Sequence, residues 1–342
     1  MKKMRKETFF DETGEIINSS AYARYNKTQA FPESAGEGIA RRWLHVQLVS
    51  YTARQISMAL GLSESLAEAI ALAHDIGHPP YSHEGEEYLN SICIASGCGC
   101  FTHNAQSARV LTLLENSGEG LNVSLPVVDG VLCHNGEALS QVYERDCDKT
   151  GSRLHAEIHK CFALPGFSKN IRPMTLEGCV VRASDVIAYI GRDIEDAISI
   201  GLITRDDLPQ VSVAVLGNSE AYIRKALIND LISESRDRAA IRYSDRIFQA
   251  LEELLKFCLK SIYPKTIPNE VRKERERKFH MLFQAFCEQL AGPELSPVRN
   301  WAGGIGASYI RTTPAERIAV DYIASMSDGG FEKAVAQLMG GN

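Results

Sequence analysis

No run of about eighteen apolar residues occurs anywhere in the 342-residue sequence, which argues against a membrane-spanning helix. The opening MKKMRKE is followed by no apolar stretch long enough for a signal peptide, so a cytoplasmic setting is expected. A basic surplus is also missing. Lysine and arginine number 37 against 43 acids, a formal net charge of −6, whereas a protein that coats nucleic acid needs positive charge to replace phosphate counterions. There is thus no strong nucleic-acid signal. The nine cysteines are an odd number without secretory context, which speaks against a disulfide framework. Cys93, Cys98 and Cys100 in CIASGCGC are followed by no Cys/His pair at zinc spacing, so a flexible reduced loop is expected there. Strand signals are scarce, and only residues 211–216 have the β-branched density of a strand. No internal repeat and no linker rich in proline, glycine or serine divides the chain.

What is present is helical. Hydrophobic residues at 44% and charged residues at 23% are ordinary globular values. Between 36 and 60, Ile39, Trp43, Leu44, Val46, Leu48, Ile56 and Leu60 recur mainly at three- and four-residue spacings. Gly61 ends that helix, Ser63 or Ser65 caps the next, and Gly77 with Pro79 and Pro80 stops it. Ser82 is expected to cap a third helix to about 95. Further helices are expected over 103–115, 125–133, 174–200, 220–233, 245–263, 271–290 and 314–339. The charge run VRKERERKF reads as a solvated helix face. The expectation is an all-α fold, one domain over 1–342, with the site built from 36–200 and a C-terminal helical section from about 205.

Six of the nine histidines crowd into a single stretch of the first half: His45, His74, His78, His83, His103 and His134. The informative unit is His74-Asp75, inside AHDIGHPPYSHEGE. An adjacent pair of this kind offers an imidazole nitrogen and a carboxylate oxygen to one cation, a donor mixture suited to Mn, Fe, Ni or Zn, with room for Mg or Co. His45 upstream and Asp185 downstream would complete four protein ligands. An octahedral ion then keeps two positions for water or a phosphate oxygen. Arg42 shares a helix face with His45 and is expected to meet phosphate. Asp185, Tyr189 and Asp193 follow one another at four-residue steps. His83 and Glu86 stand three apart, where a carboxylate can orient an imidazole for proton transfer. His78 and His103 are expected to line the pocket, whereas Glu195 and Asp196, off the Asp185 face, read as solvated.

An isolated His-Asp dipeptide is common by chance, but HDIGHPP between helices with an upstream histidine is not. The stretch resembles the HD superfamily, and in particular its deoxyguanosine triphosphate triphosphohydrolase branch. INSSAYARYNKTQAF is similar to the opening segment of that family, and ARRWLHVQLV to the segment that carries its first metal histidine. THNAQSARVL, VLCHNGE, VVRASDVIAYIGRDIEDAI, GLITRDDLP and VDYIASMSD follow in family order. The chain departs from the family at Leu44 and Val46, where threonine or serine is commoner, and at Asn18, where a histidine is usual.

The resemblance implies an HD-domain helical fold and one divalent metal ion on His45, His74, Asp75 and Asp185. It implies His83 as the catalytic histidine with Glu86 as its partner, and Tyr189 and Asp193 beside the sugar. Arg24 and Lys27 in the opening segment would add positive charge against a triphosphate. The implied reaction is hydrolysis of a deoxynucleoside triphosphate, with dGTP as the first candidate, to deoxynucleoside and tripolyphosphate, in a homo-oligomer that takes a nucleotide activator. Two other readings stay open. His103 and His134 stand where binuclear HD phosphodiesterases and nucleotidases supply extra ligands, and a nucleotide sensor without turnover is the third.

Overall fold

The computed structural model describes residues 8–25, 42–135 and 139–340. Lys27 and positions 36–41 of the first expected helix lie outside the described residues. The helices of the first half are α1 (Thr8–Ile17), α2 (Ser20–Ala23), α3 (Arg42–Ala59), α4 (Glu64–Ala73), α5 (Ser82–Ser96), α6 (His103–Arg109), α7 (Leu125–Cys133), α8 (Gly151–Ala163) and α9 (Leu176–Ser199). Those of the second half are α10 (Gln210–Leu216), α11 (Glu220–Ser235), α12 (Asp245–Ser261), α13 (Asn269–Ala291), α14 (Pro297–Ile305), α15 (Ala307–Thr312), α16 (Ala315–Ala324) and α17 (Asp328–Leu338). Among the described residues the fold is all-α apart from two short antiparallel strands, β1 (Val142–Glu144) and β2 (Ala240–Arg242), with Tyr143 opposite Ile241.

Helix α9 organises the site-bearing half. Thr175 caps it by accepting the Gly178 N–H, and α3, α4, α7 and α11 pack around it. Val180, Val181, Ile187, Ile190 and Ile194 are buried on it, each worth about 1.5–3 kcal/mol relative to exposure. This burial on several sides fixes the direction of the Asp185 side chain.

The hydrophobic interior is in two parts. The larger runs from α1 to α4, through α6 to α9, and on to α10, α11 and α12. The smaller joins α5 to α13, α14, α15, α16 and α17 through Leu89, Ile92, Phe279, Leu282, Val320 and Phe331. The C-terminal section expected from about 205 is therefore divided. Residues up to Tyr263 pack with the site half, and those from Phe279 onward pack on α5.

Several local expectations are corrected. Residues 211–216 are helix, not strand: Ser212 donates to the Ala250 carbonyl at 2.8 Å and Leu216 is buried, so packing against α12 overrides β-branched propensity. Ser82 is no side-chain cap. Tyr81 precedes α5 in a left-handed conformation, and the Ser82 hydroxyl accepts from Arg42 instead. The helix expected over 103–115 gives way after Arg109 to a wider π turn over Val110–Leu114. The helix expected over 314–339 breaks before Ser327, which caps α17 by accepting the Gly330 N–H at 3.1 Å. The CIASGCGC loop is anchored rather than flexible, since the Cys100 N–H donates to Phe162 O and Arg317 donates to the Cys98 and Cys100 carbonyls. The charge run in α13 is only partly solvated: Arg275 pairs with Glu84 at 2.6 Å and lies over the Tyr81 ring.

Candidate active site

Three helices deliver the central cluster. His45 comes from α3, His74 caps the C-terminal end of α4, Asp75 follows it, and Asp185 comes from the middle of α9. All four are buried. His45 Nε2 lies 3.0 Å from Asp185 Oδ1 and 3.8 Å from Asp75 Oδ2, and His74 Nε2 lies 3.5 Å from Asp75 Oδ1 and 3.8 Å from Asp185 Oδ1. His74 Nδ1 is 2.6 Å from the Ala71 carbonyl, so it carries the proton and turns an unprotonated Nε2 inward. That Nε2 is buried without a hydrogen-bond partner. Burial depresses the His74 pKa, which keeps the ring neutral. Burial also opposes ionisation of Asp75, but Arg42 and His74 outweigh it and hold the carboxyl well below its usual range. Two inward imidazole nitrogens, two carboxylates and one orphaned donor atom fit a divalent cation.

The Asp75 carboxylate has further imidazole neighbours. His78 Nε2 is 3.3 Å, His134 Nε2 3.8 Å and His103 Nε2 4.0 Å from Asp75 Oδ1. His134, at the C-terminal end of α7, repeats the His74 arrangement: Nδ1 meets the Val131 carbonyl at 2.6 Å, and Nε2 points in, 3.0 Å from His103 Nε2. Burial, then the neighbouring His74 and His103, push its pKa down to about 3. His78 stacks on His103 with ring centroids 4.0 Å apart.

Position 77 explains how these groups are held so closely. A Cβ on Gly77 would lie 2.1 Å from Ser107 N and 2.5 Å from His103 O. The Gly77 N–H donates to Ser107 Oγ at 2.9 Å, and that hydroxyl donates to the His74 carbonyl at 2.7 Å. The turn after α4 is thereby pressed against α6.

Next to the cluster, Glu86 on α5 faces two imidazoles. Its Oε2 is 3.3 Å from His83 Nδ1 and 2.8 Å from His103 Nδ1, and Oε1 accepts the His103 N–H at 2.8 Å. Burial alone would raise the Glu86 pKa, but His103 and His83 bring it well below the usual value. Burial works against charge on His103 too, yet Glu86 lifts its pKa above the ordinary value. His83 is 46% exposed and borders a cavity of about 230 Å³, with Asn90, Thr102, Asn135 and Lys169 among its walls. A buried set of residues that could hold a cation, beside an oriented, accessible imidazole, is an arrangement suited to hydrolysis with proton transfer.

An HD domain family profile matches residues 42–190, which contain all four central residues and the dyad. A phosphohydrolase-associated domain matches residues 241–337. Relatives called deoxyguanosinetriphosphate triphosphohydrolase-like protein align over most of the chain. That of Caldanaerobacter subterraneus subsp. tengcongensis is 34% identical over 314 residues, covering 92% of this chain and 79% of its own. That of Clostridium tetani is 32% identical over 329 residues, covering 94% and 83%, and that of Desulfatibacillum aliphaticivorans 30% over 327 residues, covering 94% and 85%. The chain belongs to the deoxyguanosinetriphosphate triphosphohydrolase-like family of HD-domain proteins.

The remaining expected residues of this HD phosphohydrolase divide into those near the cluster and those turned elsewhere. Arg42 is buried and spends its guanidinium on Asp75 and Ser82. Arg24 is directed to backbone carbonyls: it donates to Ile76 at 2.7 Å and Ala324 at 3.0 Å, tying α2 to the turn after α4 and to α16. Asp193 is buried. Its Oδ2 accepts from the Tyr263 hydroxyl at 2.9 Å, and its Oδ1 has no hydrogen-bond partner. Burial raises its pKa to about 7 against the Tyr263 hydrogen bond. Tyr189 is partly buried one turn before it. Asp196, expected in solvent, is buried and paired with Arg192 at 2.9 Å.

Sequence reasoning passed over Tyr263 and left His134 among several readings. Tyr263 stands 70 residues from its partner, so no helical spacing could signal the contact. His134 did carry a signal, the repetition of a helix ending in Cys-His or Ala-His. Among the described residues no helix is long and apolar enough to cross a membrane.

Proposed function

We propose that this HD phosphohydrolase hydrolyses a deoxynucleoside triphosphate to deoxynucleoside and tripolyphosphate, dGTP being the first candidate. The observation that carries the reading is the convergence of His45, His74, Asp75 and Asp185 beside an accessible His83 oriented by Glu86. These four residues are assigned as ligands of one divalent cation. A cation bound there supplies positive charge against a phosphate oxygen. His83, oriented through Nδ1 by Glu86, is assigned to hold or deliver a proton through Nε2 at the water or at the leaving 5′-oxygen. Arg42 keeps Asp75 ionised and oriented. Asp193, with one oxygen occupied by Tyr263, has the other available to accept a sugar hydroxyl. The names of the relatives support the nucleotide class. A homo-oligomer and an activating nucleotide accompany this proposal.

One observation favours a second reading. His78, His103 and His134 also surround Asp75 Oδ1, an arrangement open to a binuclear phosphodiesterase or nucleotidase. Phosphorus NMR with manganese and each deoxynucleoside triphosphate tests the first reading. Release of tripolyphosphate is the expected result, whereas pyrophosphate or orthophosphate alone would overturn it. Two tightly held ions per chain would favour the second.

A further inference from the structure

The cysteine-rich end of α5 takes no part in the hydrolytic chemistry, yet its backbone joins two thiols. Gly97 ends the helix in the left-handed region, at φ 71° and ψ 13°. The Cys98 N–H donates to the Cys93 carbonyl at 3.0 Å, and the Gly97 N–H to the Ile94 carbonyl at 3.3 Å. This pair of crossed bonds is a Schellman motif, in which the residue after the glycine folds back onto the one five positions earlier. In most helices that contact is apolar. Here both partners are cysteines, which the fold-back sets side by side, and the Ser96 hydroxyl donates to the Cys98 sulfur at 3.4 Å.

The two sulfurs differ in setting. Cys93 is fully buried and Cys98 partly exposed. The adjoining Cys93 thiol lowers the Cys98 pKa to about 6, while the Cys98 neighbour and burial push Cys93 up. Arg317, buried beneath the loop, donates to the Cys98 carbonyl at 2.6 Å and brings positive charge near the thiolate. Cys100, two residues on, is turned inward and buried.

We propose that Cys98 and Cys93 form a peroxide-reactive thiol pair, Cys98 being the attacking and Cys93 the resolving cysteine. The Cys98 thiolate attacks one oxygen of hydrogen peroxide, the O–O bond breaks, and hydroxide leaves to become water. Cys98 is then a sulfenic acid. The Cys93 sulfur attacks the Cys98 sulfur, the S–O bond breaks, and the hydroxyl leaves with the Cys93 proton as a second water. The sum is two thiols and one peroxide to one disulfide and two waters. The bond would close a loop of six residues at the helix end, in the segment that leads from α5 to His103.

The test uses the full chain, treated with hydrogen peroxide, alkylated, and mapped by peptide mass spectrometry. Cys93 and Cys98 should both escape alkylation in a peptide lighter by two hydrogen atoms, reversibly with dithiothreitol. Cys98 should react roughly tenfold or more faster than the exposed Cys147, which is in no disulfide, at pH 7. In Cys93→Ser, Cys98 should stop at the sulfenic acid and be trapped by dimedone. Continued alkylation of Cys93 and Cys98 while Cys147 oxidises would overturn the proposal. So would pairing of Cys98 with Cys100 or Cys287, or a Cys93→Ser variant that dimedone does not label.

Discussion

Glu86 lies closer to His103 than to His83, at 2.8 Å against 3.3 Å, although His83 is its neighbour on the same helix. One carboxylate therefore serves an outer imidazole open to the cavity and an inner imidazole next to Asp75. The outer one can exchange protons with a bound molecule, and the inner one fixes the carboxylate that orients it.

His83→Ala should lower kcat by about 10²–10⁴-fold, the usual range for a lost acid or base, with metal content unchanged. Steady-state kinetics and elemental analysis on the same sample check this. Full turnover with metal bound would remove His83 from the chemistry.

His74→Ala and Asp185→Ala should each lose metal and activity together. In the unaltered protein, manganese at a hundredfold over its Kd should add about 2.7 kcal/mol of stability. A chelator should remove that increment in a thermal melt. An unchanged melting curve with and without chelator would count against the four-residue site.

Asp193→Asn should be more stable than the parent above neutral pH. The folded acid keeps its proton up to about 7, against 3.8 for an unperturbed aspartate. Stability from that proton is fully present below the unfolded value and is lost as pH rises toward 7. The variant should gain about 1–4 kcal/mol on the parent between pH 4 and pH 8, read by urea unfolding of metal-free protein. In assays at saturating metal the same substitution should raise KM for a substrate with a 3′-hydroxyl.

Lys149→Met should cost about 3–5 kcal/mol, the range for breaking a buried ion pair. The Lys149 ammonium is buried between Asp129 and Glu157, 2.8 Å from each, under the start of α9. Urea unfolding measures the loss. Adding Asp129→Asn should return part of it by removing the stranded charge.

The central cluster was legible because its chemistry is compressed into adjacent or periodic positions. His74-Asp75 is a dipeptide, and Asp185, Tyr189 and Asp193 follow the helical period. Long amphipathic helices such as α9 were legible for the same reason. The failures came where tertiary packing decides. The β-branched residues 211–216 are helical because α12 covers them. Asp196 is buried because Arg192 can reach it. Tyr263 reaches Asp193 only after α12 has folded back across α9.

The missing side chain at Gly77 places a limit on the evolution of this protein. Because the backbone of α6 occupies the space where a Cβ would stand, alanine, the smallest possible change, is already excluded there. A replacement library of the HDIGH stretch should keep glycine at that codon even under selection for folding alone, with no demand for turnover. The interval between the two halves of the histidine cluster is set by the volume of one methyl group.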